Sequence, residues 1–405
     1  MAVPATPVVD AAAPVAPPAN GLVAQCMVLA KDAAVQRKLV AELIGTFVLC
    51  FTAGGNMLNP SPFGAFSIGA SLTVLVYALG PISGANLNPA VSTALLVAKK
   101  LELPLFLLYV ASQLLAALMA CTVFSFLLGG VSHLGPGEAS GWGSALAVEF
   151  LYTLMLGFTV LATACREEKN EYFGLAIGGV VFAGGSAVDW VSGGALNPSV
   201  ALTLDLSSAS SDGFGSCFFY AVAQCLGGAA AAMLFVQLHP PEAPPAGSRG
   251  ELKIRLASEL LGSFYLCFTV GLTGLGGGQA SAFAIASALM VMVYGTGHLS
   301  GGHLNPAVTL AFLATERGIV TNRQAGWYAS AQIAGGLLAS AAYSLIGGGA
   351  FPIGPGKGHG WGGVVASELV FTFLLCYVVL CVTSWSKQAF GLAIGWTVLA
   401  GGYAV

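Results

Sequence analysis

Long apolar runs separated by short polar breaks dominate this chain; Leu39–Ala53, Leu103–Leu128, Ala145–Ala164 and Phe214–Leu238 are examples. About 20 helical residues cross a hydrocarbon core of about 30 Å. Helix is the one open-ended structure that satisfies its own backbone there. The pattern therefore predicts an all-α membrane protein. The runs also repeat. Ala65–Val91 reads AFSIGASLTVLVYALGPISGANLNPAV and Ala282–Val308 reads AFAIASALMVMVYGTGHLSGGHLNPAV, 217 residues later without a gap. Phe173–Val188 matches Phe390–Val405 at the same displacement. A finer period of about 109 residues lies beneath this one. Glutamates open apolar runs at Glu42, Glu149, Glu259 and Glu368, Asn-Pro follows at Asn88, Asn197 and Asn305, and Gln113, Gln224 and Gln332 sit in the next runs.

Each complete quarter then holds three spans plus one short segment beginning at Asn-Pro. Three crossings are odd, so consecutive quarters enter the membrane from opposite sides, an inverted repeat. Charge supports this orientation. With a cytoplasmic N-terminus, Lys31, Arg37, Lys38, Lys99, Lys100, Arg166, Lys169, Arg249, Lys253, Arg255, Arg317, Arg323 and Lys387 fall inside and Lys357 alone falls outside, as the positive-inside rule requires. The host is a plasma or intracellular membrane.

Composition excludes a soluble fold. Charged residues make up 8% and hydrophobic ones 56%, whereas a wetted surface needs roughly 25–35% charge. No basic tract suggests nucleic acid. The nine cysteines form no CxxC pair and read as small buried hydrophobes. His298 and His303 flank the third motif without a metal-ligand pattern, so neither a metal nor a cofactor is expected. Residues 1–36 read as a disordered Ala/Pro-rich tail, 37–238 as a complete unit, 239–250 as a Pro-rich cytoplasmic linker and 251–405 as an incomplete second unit.

The short segments follow small-residue turns: SGANLNPAV, SGGALNPSV and SGGHLNPAV. Asparagine is a strong helix N-cap, and proline suits the first helical position because its missing N–H had no partner there. A helix of ten residues rises about 15 Å, half the core. Two such helices from opposite faces bring two N-termini together in mid-membrane, each with roughly half a positive charge. Cations are repelled there, and a neutral hydrogen-bonding molecule is oriented.

The paired motifs, the glutamates and the inverted repeat resemble the aquaporin (major intrinsic protein) family over Arg37–Val405. The resemblance implies six spanning helices and two re-entrant half-helices in the first unit, and about five spans and one half-helix in the second. It implies pore motifs at Asn88, Pro89, Ala90, Asn197, Pro198 and Ser199, with Asn305, Pro306 and Ala307 in the second unit. Glu42, Glu149, Glu259 and Glu368 would brace the re-entrant loops from buried positions, with Gln113 and Gln332 packing beside the half-helices. It implies a channel rather than an enzyme, a homo-oligomer with pore units arranged as in a tetramer, and lipid, water and small neutral solutes as partners.

Two departures matter. The filter positions fall on Ile68, Gly185, Gly194 and Val200, matched by Ile285 and Gly402 in the second unit. Val200 stands where the family has an arginine, and no arginine occurs between Arg166 and Arg249. A wider, more apolar filter is expected, open to glycerol, urea, ammonia or metalloid acids. The sequence also stops at Val405, the counterpart of Val188, before a fourth motif; a fragment or an incomplete gene model is the expectation. A non-conducting scaffold and a secondary transporter stand as alternatives to the channel.

Overall fold

A computed structural model describes residues 21–404 apart from 129–133, 167–169, 210, 212, 316–319, 351, 357 and 386–387. The first 20 residues, Lys169, Arg317, Lys357 and Lys387 thus lie outside the described residues. A short helix α1 (Leu22–Leu29) precedes the first unit, which comprises α2 (Ala33–Leu58), α3 (Gly64–Ser83), α4 (Pro89–Val97), α5 (Leu103–Leu128), α6 (Trp142–Ala164), α7 (Phe173–Ser192), α8 (Pro198–Ser207) and α9 (Ser216–Leu238). The second unit comprises α10 (Arg249–Gly276), α11 (Ser281–Ser300), α12 (Pro306–Ala314), α13 (Asn322–Gly347), α14 (Trp361–Trp385) and α15 (Phe390–Ala404). Ten of these helices are long and apolar enough to cross a membrane. In each unit the short helices lie between spans, where chain direction reverses.

Local chemistry explains the helix ends. Asp32 caps α2, its Oδ1 accepting from the amides of Ala34 at 2.7 Å and Val35 at 3.0 Å. Those two backbone donors hold its carboxyl below the usual range. The spans that precede the motifs all stop at a glycine with positive φ: Gly84 at 91°, Gly193 at 79° and Gly301 at 96°. Only glycine takes that left-handed conformation without cost.

The expected tail is corrected here. Residues 22–29 are helical, and the Cys26 thiol reaches the Pro104 carbonyl at the start of α5. Val23, Met27 and Val28 stay exposed, as an apolar helix lying along a membrane surface would be. The run LVAQCMVL contains no helix breaker, so the Pro-rich character ends before it. The unit boundaries shift accordingly: α2 begins at Ala33 rather than 37, and α10 begins inside the expected linker, at Arg249.

The two units pack side by side, α6 and α7 of the first against α10 and α11 of the second. The seam is both apolar and specific. Tyr152 donates to Thr269 Oγ1 at 2.9 Å, Tyr265 to the Leu151 carbonyl at 2.7 Å, and Trp190 Nε1 to the Leu272 carbonyl at 3.2 Å. At one end Asn170 donates to the Gln388 carbonyl, and the Gln388 side chain accepts from the Glu171 amide. Apolar burial alone does not fix register in lipid, whereas small residues and hydrogen bonds do. Gly179 supplies the close approach: a Cβ there would lie 2.8 Å from Met290 and 2.9 Å from Val291.

Candidate functional site

Three carboxylates build three copies of one loop. Glu42 Oε1 accepts from Ser83 Oγ (2.7 Å) and the Asn86 amide (2.9 Å), and its Oε2 accepts from the Leu87 amide (2.8 Å) and Gln113 Nε2 (2.8 Å). Glu149 does the same with Ser192, Ala195, Leu196 and Gln224. Glu259 does so with Ser300, His303, Leu304 and Gln332. All three glutamates are fully buried. A carboxylate so placed needs a complete set of donors, and these loops provide one.

The consequence is backbone strain at a chosen residue. Leu87, Leu196 and Leu304 have φ of 51°, 49° and 50°, a left-handed conformation that costs a non-glycine residue about 1–3 kcal/mol. Each leucine amide is held by its glutamate, so the strain is retained. It turns the leucine carbonyl away from its own helix. In the first unit that carbonyl meets the opposite motif: Asn88 Nδ2 donates to Leu196 O and Asn197 Nδ2 donates to Leu87 O, both at 2.9 Å. The Oδ1 atoms meanwhile cap their own helices, Asn88 accepting from the Ala90 amide at 2.8 Å and Asn197 from the Ser199 amide at 2.9 Å. Two half-helices thus point their N-termini at one junction, and the residues of both motifs are buried.

A cavity of about 70 Å³ runs past this junction. Asn88 and Asn197 line it, along with Ile68, Met57, Gly194 and Val200, and with Phe173, Val76 and Ala164. Three of the four expected filter residues therefore reach the cavity wall. Gly185 does not. It is buried behind the wall, where a Cβ would come within 2.9 Å of the Ala65 Cβ, and Gly194 packs over it. Its role is close packing of α7 on α3. Among the described residues no cationic side chain lines the cavity.

The second unit repeats the local pieces without the junction. Asn305 caps α12 through the Ala307 amide at 2.8 Å, yet Asn305, Pro306 and Ala307 are all half-buried. Among the described residues Asn305 faces no second asparagine. Ile285 is half-buried and Gly402 exposed, and among the described residues neither lines the cavity at the junction or the one beside His298. Glu368, expected to be a buried brace, is corrected: it lies exposed on α14. Identical spacing places it on the right helix, but burial requires a loop packed against it.

One element of the site escaped the sequence reading. Tyr109, Tyr220 and Tyr328 donate to the carbonyls of Ser83, Ser192 and Ser300 at 2.6, 2.8 and 2.7 Å. They tie each preceding span to the helix that carries the glutamine. The signal was present as YVASQ, YAVAQ and YASAQ, each tyrosine one turn before its glutamine.

Comparison with known proteins finds relatives of this chain. The family model for the major intrinsic protein matches residues 29–188, 168–273 and 256–404. Aquaporin NIP2-1 of Oryza sativa subsp. japonica is 31% identical over 227 residues, covering 53% of this chain and 75% of that one. Aquaporin NIP1-1 of the same plant is 30% identical over 177 residues, 41% of this chain and 62% of that one, and NIP1-3 is 39% identical over 158 residues, 36% and 54%. The chain thus spans less than two thirds of the length of NIP1-1 and NIP1-3. The X-ray structure of the aquaglyceroporin from Plasmodium falciparum is similar at 23% identity and a TM-score of 0.43, covering 50% of this chain and 95% of that one. With three successive family matches laid over two glutamate-braced units, the chain belongs to the major intrinsic protein family.

Proposed function

We propose that the first unit is a passive transmembrane channel for water and small neutral solutes. The observation that carries this reading is the meeting of two asparagine-capped helix ends at a cavity wall, each asparagine bonded to the carbonyl before the other. Each amide keeps a second N–H to offer a passing oxygen or nitrogen. The helix ends together present roughly one positive charge, which opposes cations and tolerates neutral molecules. The wall beside them is apolar, with Val200 and Ile68, and among the described residues no guanidinium lines it. Glycerol, urea, ammonia and metalloid acids fit that chemistry as well as water does.

Stopped-flow light scattering on proteoliposomes tests the proposal. Reconstituted chain is expected to speed water and at least one small neutral solute, without saturation and without an ion gradient. Flux no faster than in empty vesicles would favour a scaffold, and saturable, ion-coupled flux would favour a transporter.

We further propose a cytoplasmic N-terminus and a ring formed from two chains. The internal seam buries Val291 completely, while its counterpart Val74 on α3 is 61% exposed. The outer faces of α14 and α15 are equally apolar, with Leu369, Phe373 and Trp396 exposed. A head-to-tail contact that occurs once and leaves both complementary faces free closes when a second copy supplies them. A mass of two chains in native mass spectrometry from detergent is the expected result.

A further inference from the structure

The two units also meet at a pair of histidines that the channel reading does not use. His239 follows the last residue of α9, and His298 occupies the last turn of α11. Their Nε2 atoms lie 2.7 Å apart. His239 Nδ1 sits 3.0 Å from the Phe235 carbonyl, and only a protonated Nδ1 can bond a carbonyl. Its Nε2 therefore carries a lone pair, aimed at the second ring. Phe235 stacks on the His239 ring at 4.2 Å and holds its plane.

We propose that His239 and His298 form a site for a divalent transition-metal ion of the zinc class, bridging the first unit to the second. Backbone-bonded Nδ1 with free Nε2 is the usual state of a ligating histidine. Two Nε2 ligands on a tetrahedral ion stand about 3.3 Å apart, so the rings need to separate by roughly 0.6 Å. The ion takes the place of the proton now shared between them, with His298 switching to its Nδ1–H form. Among the described residues no third histidine, cysteine or carboxylate joins the pair. Water completes the shell instead, from the cavity of about 260 Å³ that His298 lines with Arg255, Ser384 and Gln324. Arg166 and Arg255 nearby oppose the added charge, which limits affinity. When filled, the site would tie the start of the inter-unit linker to α11.

Isothermal titration of the full chain in detergent with Zn²⁺, after chelator dialysis, tests this. One ion per chain is expected. His239→Ala and His298→Ala should each weaken binding about tenfold or more, while His359→Ala, in an exposed loop, leaves it intact. His239→Gln is the folding control: an amide can keep a hydrogen bond to His298 but ligates poorly. Its melting temperature in chelator should match the parent, and its Zn²⁺-induced rise should be lost. Absence of binding in the parent chain, or binding indifferent to both histidines, would overturn the site and leave a simple imidazole hydrogen bond. Neither result bears on the channel proposal, whose assay contains no metal.

Discussion

The two units carry the same motif in different surroundings, and the difference separates what a motif does alone from what it does in company. In both, asparagine caps a half-helix, glutamate holds the loop, and leucine is forced to positive φ. Those features follow from local sequence and one neighbouring span. The amide of Asn88 finds a carbonyl across the junction, and the motif becomes buried. Asn305 keeps its cap and stays half-buried, with no bond from its amide nitrogen among the described residues. A motif therefore makes a loop, and two facing motifs make a site.

The largest effect should come from the carboxylates. Glu149 accepts four hydrogen bonds in a fully buried place, whereas Glu368 is exposed. Replacing Glu149 by alanine leaves buried backbone amides unpaired, at about 3 kcal/mol or more. Glu368→Ala should change stability by no more than about 0.5 kcal/mol. Thermal unfolding in detergent compares them, and equal losses would show that Glu368 has a buried partner in solution.

Flux should separate the asparagines. Asn197→Asp removes the bond to Leu87 O and sets a carboxylate against that carbonyl, worth about 1–3 kcal/mol. Water permeability is then expected to fall about tenfold, which corresponds to ~1.4 kcal/mol. Asn305→Asp should leave it unchanged. Equal loss from both substitutions would mean that the second unit conducts as well.

Much of this was legible in the sequence because it repeats. The 217-residue displacement, the N-cap followed by proline, and glutamates about 45 residues ahead of each loop are patterns of spacing, and three of the four glutamates sit where spacing puts them. What spacing could not give is contact across helices. Gly185 counts as a wall residue until Ala65 is seen against it. Glu368 opens an apolar run as its counterparts do, yet its burial depends on a loop elsewhere. His239 and His298 are 59 residues apart and belong to different units, so only the packing of those units joins them. The helix at 22–29 was hidden by the Pro-rich run before it.

The apolar wall offers a finer test. An arginine at Val200 would project a cation into a cavity of about 70 Å³, narrowing it and adding a donor. Val200→Arg should slow glycerol about threefold to tenfold more than water, a difference of roughly 1 kcal/mol. An unchanged ratio in swelling assays would move the constriction away from Val200.

The smallest expected effect sharpens the comparison at the seam. Tyr152 on α6 donates to Thr269 across the unit boundary, and Thr269 in turn donates to the Tyr265 carbonyl of its own helix. The residue matching Tyr152 on α14 is Phe371, which like Tyr152 packs against a glycine of the following span. The seam therefore carries one hydroxyl that the outer face lacks. Tyr152→Phe gives the seam the chemistry of the outer face. Thr269 keeps its own donated bond, so no buried donor is orphaned, and the cost is that of one net hydrogen bond, about 0.5–1.5 kcal/mol. Phe371→Tyr should be nearly neutral within the chain, because Phe371 packs there against Gly401 of its own unit. Denaturation in mixed micelles measures both. If Tyr152→Phe were silent while Phe371→Tyr stabilised the assembly, the register of the ring would be set by its outer faces, and the internal seam would be only a tether.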